Sequence, residues 1–119
     1  MIVFASRTGN VRFIVQKLGS PFLEISETLE IMQPFILFTY TDGLGNVPQQ
    51  VVNFLQQHVT KCVGTFVSGN RNFGSLFARA GHEIEQQFGI PLLYAVDLRG
   101  FPSDYEAMKK IYTEMMVTT

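Results

Sequence analysis

The run Phe35-Ile36-Leu37-Phe38-Thr39-Tyr40, opened by Pro34, restricts the fold more than any other stretch of this chain. It is apolar without alternation, so both faces of such a strand need cover. That is the pattern of a central strand in a parallel sheet, not of a half-solvated antiparallel one. Parallel neighbours cannot be joined by tight hairpins. Each connection has to cross back over the sheet, usually as a helix.

The flanking sequence supplies those connections. Met1-Ile2-Val3-Phe4-Ala5 reads as a first strand, and Val11, Ile14, Val15 and Leu18 recur at helix spacing after it. Asn10 is the expected N-cap of that helix and Gly19 its C′ residue. Ser20-Pro21 turns the chain into a short strand, Phe22-Leu23-Glu24-Ile25, and residues 26–33 form a polar surface loop. After Tyr40, Asn46-Val47-Pro48 starts a second helix whose buried stripe is Val51, Val52 and Leu55. Cys62-Val63-Gly64-Thr65-Phe66-Val67 is the next strand. A helix with Leu76, Phe77, Ala80, Ile84 and Phe88 then runs to Gly89, ahead of Pro91. Leu92 to Val96 is the last strand, and Ser103-Asp104-Tyr105-Glu106 reads as a capping box opening a final helix with Met108, Ile111, Tyr112 and Met115. The expectation is an α/β fold in one domain, residues 1–119: a five-stranded parallel sheet of order 2-1-3-4-5 with helices on both faces.

Such sheets bind ligands beyond the C-terminal ends of their strands. Three polar, Gly-rich loops follow the first, third and fourth strands, so all three belong at that edge. Ser6-Arg7-Thr8-Gly9-Asn10 brings two hydroxyls and several backbone N–H groups to a helix start, a cradle for one phosphate. It has neither the Lys-Ser/Thr of a Walker loop nor a GxGxxG spacing, which argues against a nucleoside triphosphate or a dinucleotide. In Thr39 to Val47, the Tyr40 ring can wall a flat heterocycle, and Gly43 and Gly45 permit close backbone approach. In Ser68-Gly69-Asn70-Arg71-Asn72-Phe73-Gly74, the Asn side chains can read a ring's polar edge and Phe73 can pack on its face.

Composition narrows the function classes. The 119 residues are 46% hydrophobic and 16% charged, which suits a packed domain and not a disordered chain. A net charge of −1, with basic residues scattered except at Lys109-Lys110, argues against a nucleic-acid backbone as partner. No apolar run approaches the roughly 20 residues of a membrane span, and the short N-terminal run lacks the charged lead of a signal peptide. Cys62 is the only cysteine, so no disulfide or thiolate metal site forms within the chain, and a cytoplasmic setting is expected. Five residues after Cys62 lead to Ser68, which excludes a Cys-x5-Arg phosphatase loop. Ala5-Ser6 and Thr39-Tyr40 stand where receiver-type phosphoacceptor chemistry needs carboxylates. His58 and His82 read as surface residues on helices, and Glu24, Glu27, Glu30, Glu83 and Glu85 as solvated faces.

Thr8-Gly9-Asn10-Val11, Thr39-Tyr40-Thr41 through Gly43-Leu44-Gly45-Asn46-Val47-Pro48, and Ser68 to Gly74 together resemble the flavodoxin superfamily. Within it the chain is similar, essentially end to end, to the NrdI family, small flavoproteins associated with class Ib ribonucleotide reductase. The resemblance implies noncovalently bound FMN and no catalytic side chain or metal, because the flavin does the chemistry. It implies that reduced flavin converts O2 to an oxidant, superoxide, which reaches the dimanganese site of the reductase small subunit, where a tyrosyl radical is made. A reductase or other electron donor is the further partner implied. By position, Ser6, Arg7, Thr8, Gly9, Asn10 and Val11 would hold the phosphate. Thr39, Tyr40, Thr41, Gly43, Leu44, Gly45 and Asn46, with Ser68, Gly69, Asn70, Asn72, Phe73 and Gly74, would flank the isoalloxazine. A peptide within Gly43-Leu44-Gly45 would face flavin N5, able to turn its carbonyl inward when N5 gains a proton.

Two departures bear on the alternative, a short-chain flavodoxin carrying single electrons. The chain has no Trp, so stacking falls to Tyr40, Phe73 or neither, and its charge of −1 is unlike the strongly acidic carriers. A near-neutral surface suits a partner-docked oxidant supplier better. A flavin-free interaction domain on the same fold is the third reading.

Overall fold

A computed structural model of the chain describes residues 1–42 and 45–118. The strands are β1 (Ile2–Phe4), β2 (Phe22–Glu24), β3 (Phe35–Tyr40), β4 (Cys62–Gly69) and β5 (Leu92–Asp97). Between and after them run α1 (Asn10–Leu18), α2 (Gln49–His58), α3 (Arg79–Phe88) and α4 (Pro102–Thr118). All strand pairs are parallel and the order is β2-β1-β3-β4-β5, as expected from the alternation of strand and helix patterns.

The strand period of two sorts the core into two layers. Val3, Ala5, Phe35 and Leu37 face one way, under Val51, Phe54 and Leu55 of α2 and Ile84 of α3. Ile2, Phe4, Ile36 and Phe38 face the other, under Val11, Ile14, Val15 and Leu18 of α1 and Met108 of α4. Phe35 to Thr39 are all buried, so the unbroken apolar run does mark a strand covered on both faces. The four buried side chains of α1 are worth about 1.5–3 kcal/mol each as upper values, which holds that helix start in place above the sheet.

Several local expectations are corrected. The N-cap of α1 is Gly9 and not Asn10: at φ +92° Gly9 turns the chain one residue early, and its carbonyl accepts from Phe13 N at 2.9 Å. Asn10 is already helical and its side chain is left for other partners. Leu76 and Phe77 lie ahead of α3, because Arg71–Leu76 forms a 3₁₀ segment broken at Gly74, where φ is +59°. The Ser103/Glu106 capping box does not form. Pro102 takes the first helical position of α4, and Asp104 three residues after Phe101 reaches back to accept from Phe101 N at 2.7 Å. His58 is buried, not on the surface: its ring stacks on Phe54 at 4.1 Å and its Nδ1 lies 3.0 Å from the Phe54 carbonyl oxygen.

Candidate functional site

Strand register assembles the site. Phe4 sits beside Phe38, Tyr40 beside Ser68, and Ser68 beside Val96, so these strands end at one edge. The ladder continues past the strand ends. Ala5 N donates to Phe38 O at 3.0 Å, Thr41 N to Ser68 O at 3.1 Å, and Leu98 N to Gly69 O at 2.7 Å. Each loop is therefore bonded to its neighbour at the point where it leaves the sheet.

A cleft of about 210 Å³ opens at this edge. One end is lined by Ser6, Arg7, Thr8, Asn10 and Val11, the first turn of α1 and the loop leading into it. The first N–H groups of a helix have no carbonyl partner within it, and Ser6 Oγ accepts from only one of them, Arg12 N at 3.4 Å. Hydroxyls, an amide and helix-start N–H groups make a donor-rich end suited to an anion. Among the described residues, no carboxylate lines the cleft. The rest of the wall is Tyr40 and Thr41 from the second loop, Ser68, Gly69, Asn70 and Phe73 from the third, and Leu76 and Leu98.

Polar groups that could face the ligand are partly committed. Ser68 Oγ donates to Leu98 O at 2.7 Å, and Asn70 Oδ1 accepts from Asn72 N at 2.9 Å, an Asx-turn that shapes the third loop. Arg71 N donates to Asp97 Oδ1 at 3.0 Å, which ties that loop to the end of β5. Phe73 is 62% exposed, a large ring left at the mouth. Tyr40 is half-buried. Desolvation, then the charge of Asp42, pushes its phenol above the ordinary value, against an opposing pull from Arg7. The Arg7 guanidinium lies 5.6 Å over the Tyr40 ring and 3.3 Å from Asp42 Oδ1, so it spans from the first loop to the second. A ring stacked on that face of Tyr40 would displace it.

Other expected residues lie around the cleft without lining it. Gly9 is the cap behind Asn10. Thr39 is buried in β3 with its hydroxyl 3.4 Å from Tyr40 O. Gly45 and Asn46 line a neighbouring hollow with Arg79 and Glu83, and the Asp42–Asn46 bridge closes that loop. Asn72 and Gly74 are exposed on the third loop. Gly43 and Leu44, expected near flavin N5, lie outside the described residues. Two wall residues were not legible as such. Leu76 falls at helix spacing in the sequence, and Leu98 belongs to the β5–α4 turn, where Gly100 and Pro102 mark a turn but not a cleft wall.

This cleft joins a donor-rich helix start to flanking rings at the C-terminal edge of a 2-1-3-4-5 sheet. A family model described as NrdI flavodoxin like matches residues 2–110. The chain belongs to the NrdI flavodoxin-like family. Among its relatives is Protein NrdI of Escherichia coli O139:H28 (strain E24377A / ETEC), 36% identical over 124 residues, which span 96% of this chain and 91% of the relative. Protein NrdI of Shigella boydii serotype 4 (strain Sb227) is 35% identical with the same coverage. A solved short-chain flavodoxin, associated with a non-canonical PDU bacterial microcompartment, superposes with a TM-score of 0.72 over 98% of this chain and 95% of that one. At 20% identity that likeness shows the fold alone. Membership of a flavodoxin-like family implies a flavin cofactor. Among the described residues, no helix is long and apolar enough to cross a membrane.

Proposed function

We propose that the chain binds FMN and, with the flavin reduced, supplies superoxide to assemble the dimanganese–tyrosyl radical cofactor of a class Ib ribonucleotide reductase small subunit, in the cytoplasm. The match to the NrdI family along nearly the whole chain carries this reading. The donor set of the cleft fits the cofactor. Ser6, Thr8, Asn10 and the N–H groups of residues 7–11 would hold the phosphate, with Tyr40 and Phe73 against the ring and Ser68 to Gly74 along its edge. The Gly43-Leu44-Gly45 segment is the proposed neighbour of N5.

When bound, the flavin supplies the redox chemistry, one-electron reduction of O2. The chain's own part is to bind and orient it and to leave its edge open beside Phe73. A reductase or another electron donor would feed the site. The test is to reconstitute the protein with FMN, reduce it without air, and mix it with O2 and the manganese-loaded small subunit. The expected result is a tyrosyl radical signal by EPR. A silent spectrum from flavin-loaded protein would sink the proposal. Slow reaction with O2 and no binding to the small subunit would instead favour a single-electron carrier.

A further inference from the structure

The three loops are not the whole of the phosphate end. The turn between β5 and α4 reaches it too, and we propose that Arg99 in that turn is a positioning residue: it orients the Asn10 amide and biases the cleft toward a phosphorylated flavin over an unphosphorylated one. This rests on the flavin-binding reading above. Arg99 Nε donates to Asn10 Oδ1 at 3.1 Å, across 89 residues of sequence. A guanidinium has donors only, so the side of the amide turned toward it must be the carbonyl oxygen. Both amide hydrogens of Asn10 then remain for the cleft that Asn10 lines.

The guanidinium is held where it acts. Its carbon lies 4.6 Å over the Phe13 ring, and Nη2 is 3.9 Å from where a Cβ on Gly9 would be. It therefore lies alongside the left-handed turn that opens α1. The backbone behind it is braced. Tyr105 Oη donates to Arg99 O at 2.6 Å. Leu98 sits at φ +53° with its N–H and carbonyl both bonded to the end of β4. Such a conformation persists only where the surroundings over-determine it.

The charges at this end differ in their commitments. Arg7 is paired with Asp42, whereas Arg99 has no carboxylate partner among the described residues. Its positive charge is free to favour a phosphate, and because the residue is exposed that contribution is screened by salt.

Flavin-fluorescence titrations of the full chain with FMN and with riboflavin test this. Arg99→Met is expected to weaken FMN about fivefold, and riboflavin less than about twofold, the scale of one partly exposed charge-assisted contact. Arg99→Lys falls between, because the charge stays and the Nε–H donor to Asn10 is lost. In an Asn10→Ala background the effect of Arg99→Met on FMN shrinks. Equal losses for both ligands, an unchanged FMN-to-riboflavin ratio, or an undiminished effect in the Asn10→Ala background would each overturn the assignment. Binding of neither flavin by the unaltered chain would overturn the flavin reading itself, and this assignment with it.

Discussion

A Cβ on Gly69 would lie 1.9 Å from the Phe77 carbonyl oxygen, so that backbone has no room for any side chain. The third loop folds back over the end of β4 only because Gly69 is bare. Gly45 is constrained in another way: its φ is +104°, and the Arg79 side chain lies within 2.6 Å of where a Cβ would be. Cys62 shows what burial does to a single group. It is enclosed at the start of β4, and desolvation pushes its thiol up to about 11. A thiol held above its ordinary value of 9.0 keeps its stabilising contribution below pH 9 and loses it as pH rises toward 11. The loss is on the order of 2–3 kcal/mol. Urea midpoints measured across pH 8 to 11 should fall over that window in the native chain and less in Cys62→Ala. A thiol reagent at pH 8 should label Cys62 rapidly only after unfolding.

At the scale of elements, the two helix starts at the sheet edge are built differently. α1 opens on a left-handed glycine, and Asn10 and Val11 of its first turn line the cleft. α4 closes its own start through Asp104, which accepts from Phe101 N and from Tyr94 Oη at 2.7 and 2.5 Å. One helix start thus lines the cleft, and the other carries a carboxylate, Asp104, in its first turn. The hydrogen bond to Asp104, then burial, holds the Tyr94 phenol above its ordinary value. Asp104→Ala should cost about 1–2 kcal/mol in chemical denaturation and let Tyr94 titrate at lower pH. Tyr94→Phe should remove that titration while leaving the Phe101 cap intact.

For the molecule as a whole, the cleft exists because strands far apart in sequence end side by side. β1 and β4 flank β3, so their three loops converge, and the β5–α4 turn joins them through Leu98 and Arg99. A ligand that bridges these loops binds only the folded chain. FMN at a hundred times its dissociation constant should raise stability by about 2.7 kcal/mol. A thermal melt with and without FMN checks this: the midpoint should rise with FMN concentration, and an unmoved midpoint would count against binding.

The amino-acid sequence by itself determined the fold class and the family. Unbroken apolar runs demand a sheet covered on both faces, helix-period segments supply the cover, and Gly-rich loops after strands carry motif spacing that is local. It also placed Ser6 to Val11, Tyr40, Thr41 and Ser68 to Phe73 at one edge, because topology follows from that alternation. Tertiary structure alone decided what depends on contacts across the chain. His58 is buried because it ends the face of α2 that carries Val51, Phe54 and Leu55 into the core against the sheet. Leu98 lines the cleft because its N–H extends the ladder from Gly69. Asn10 is no cap because Gly9 turns first, and its amide instead meets Arg99 from the far end of the sequence. The Leu98–Gly69 and Arg99–Asn10 pairings leave no periodic or compositional trace, since each is fixed by where two distant segments come to rest.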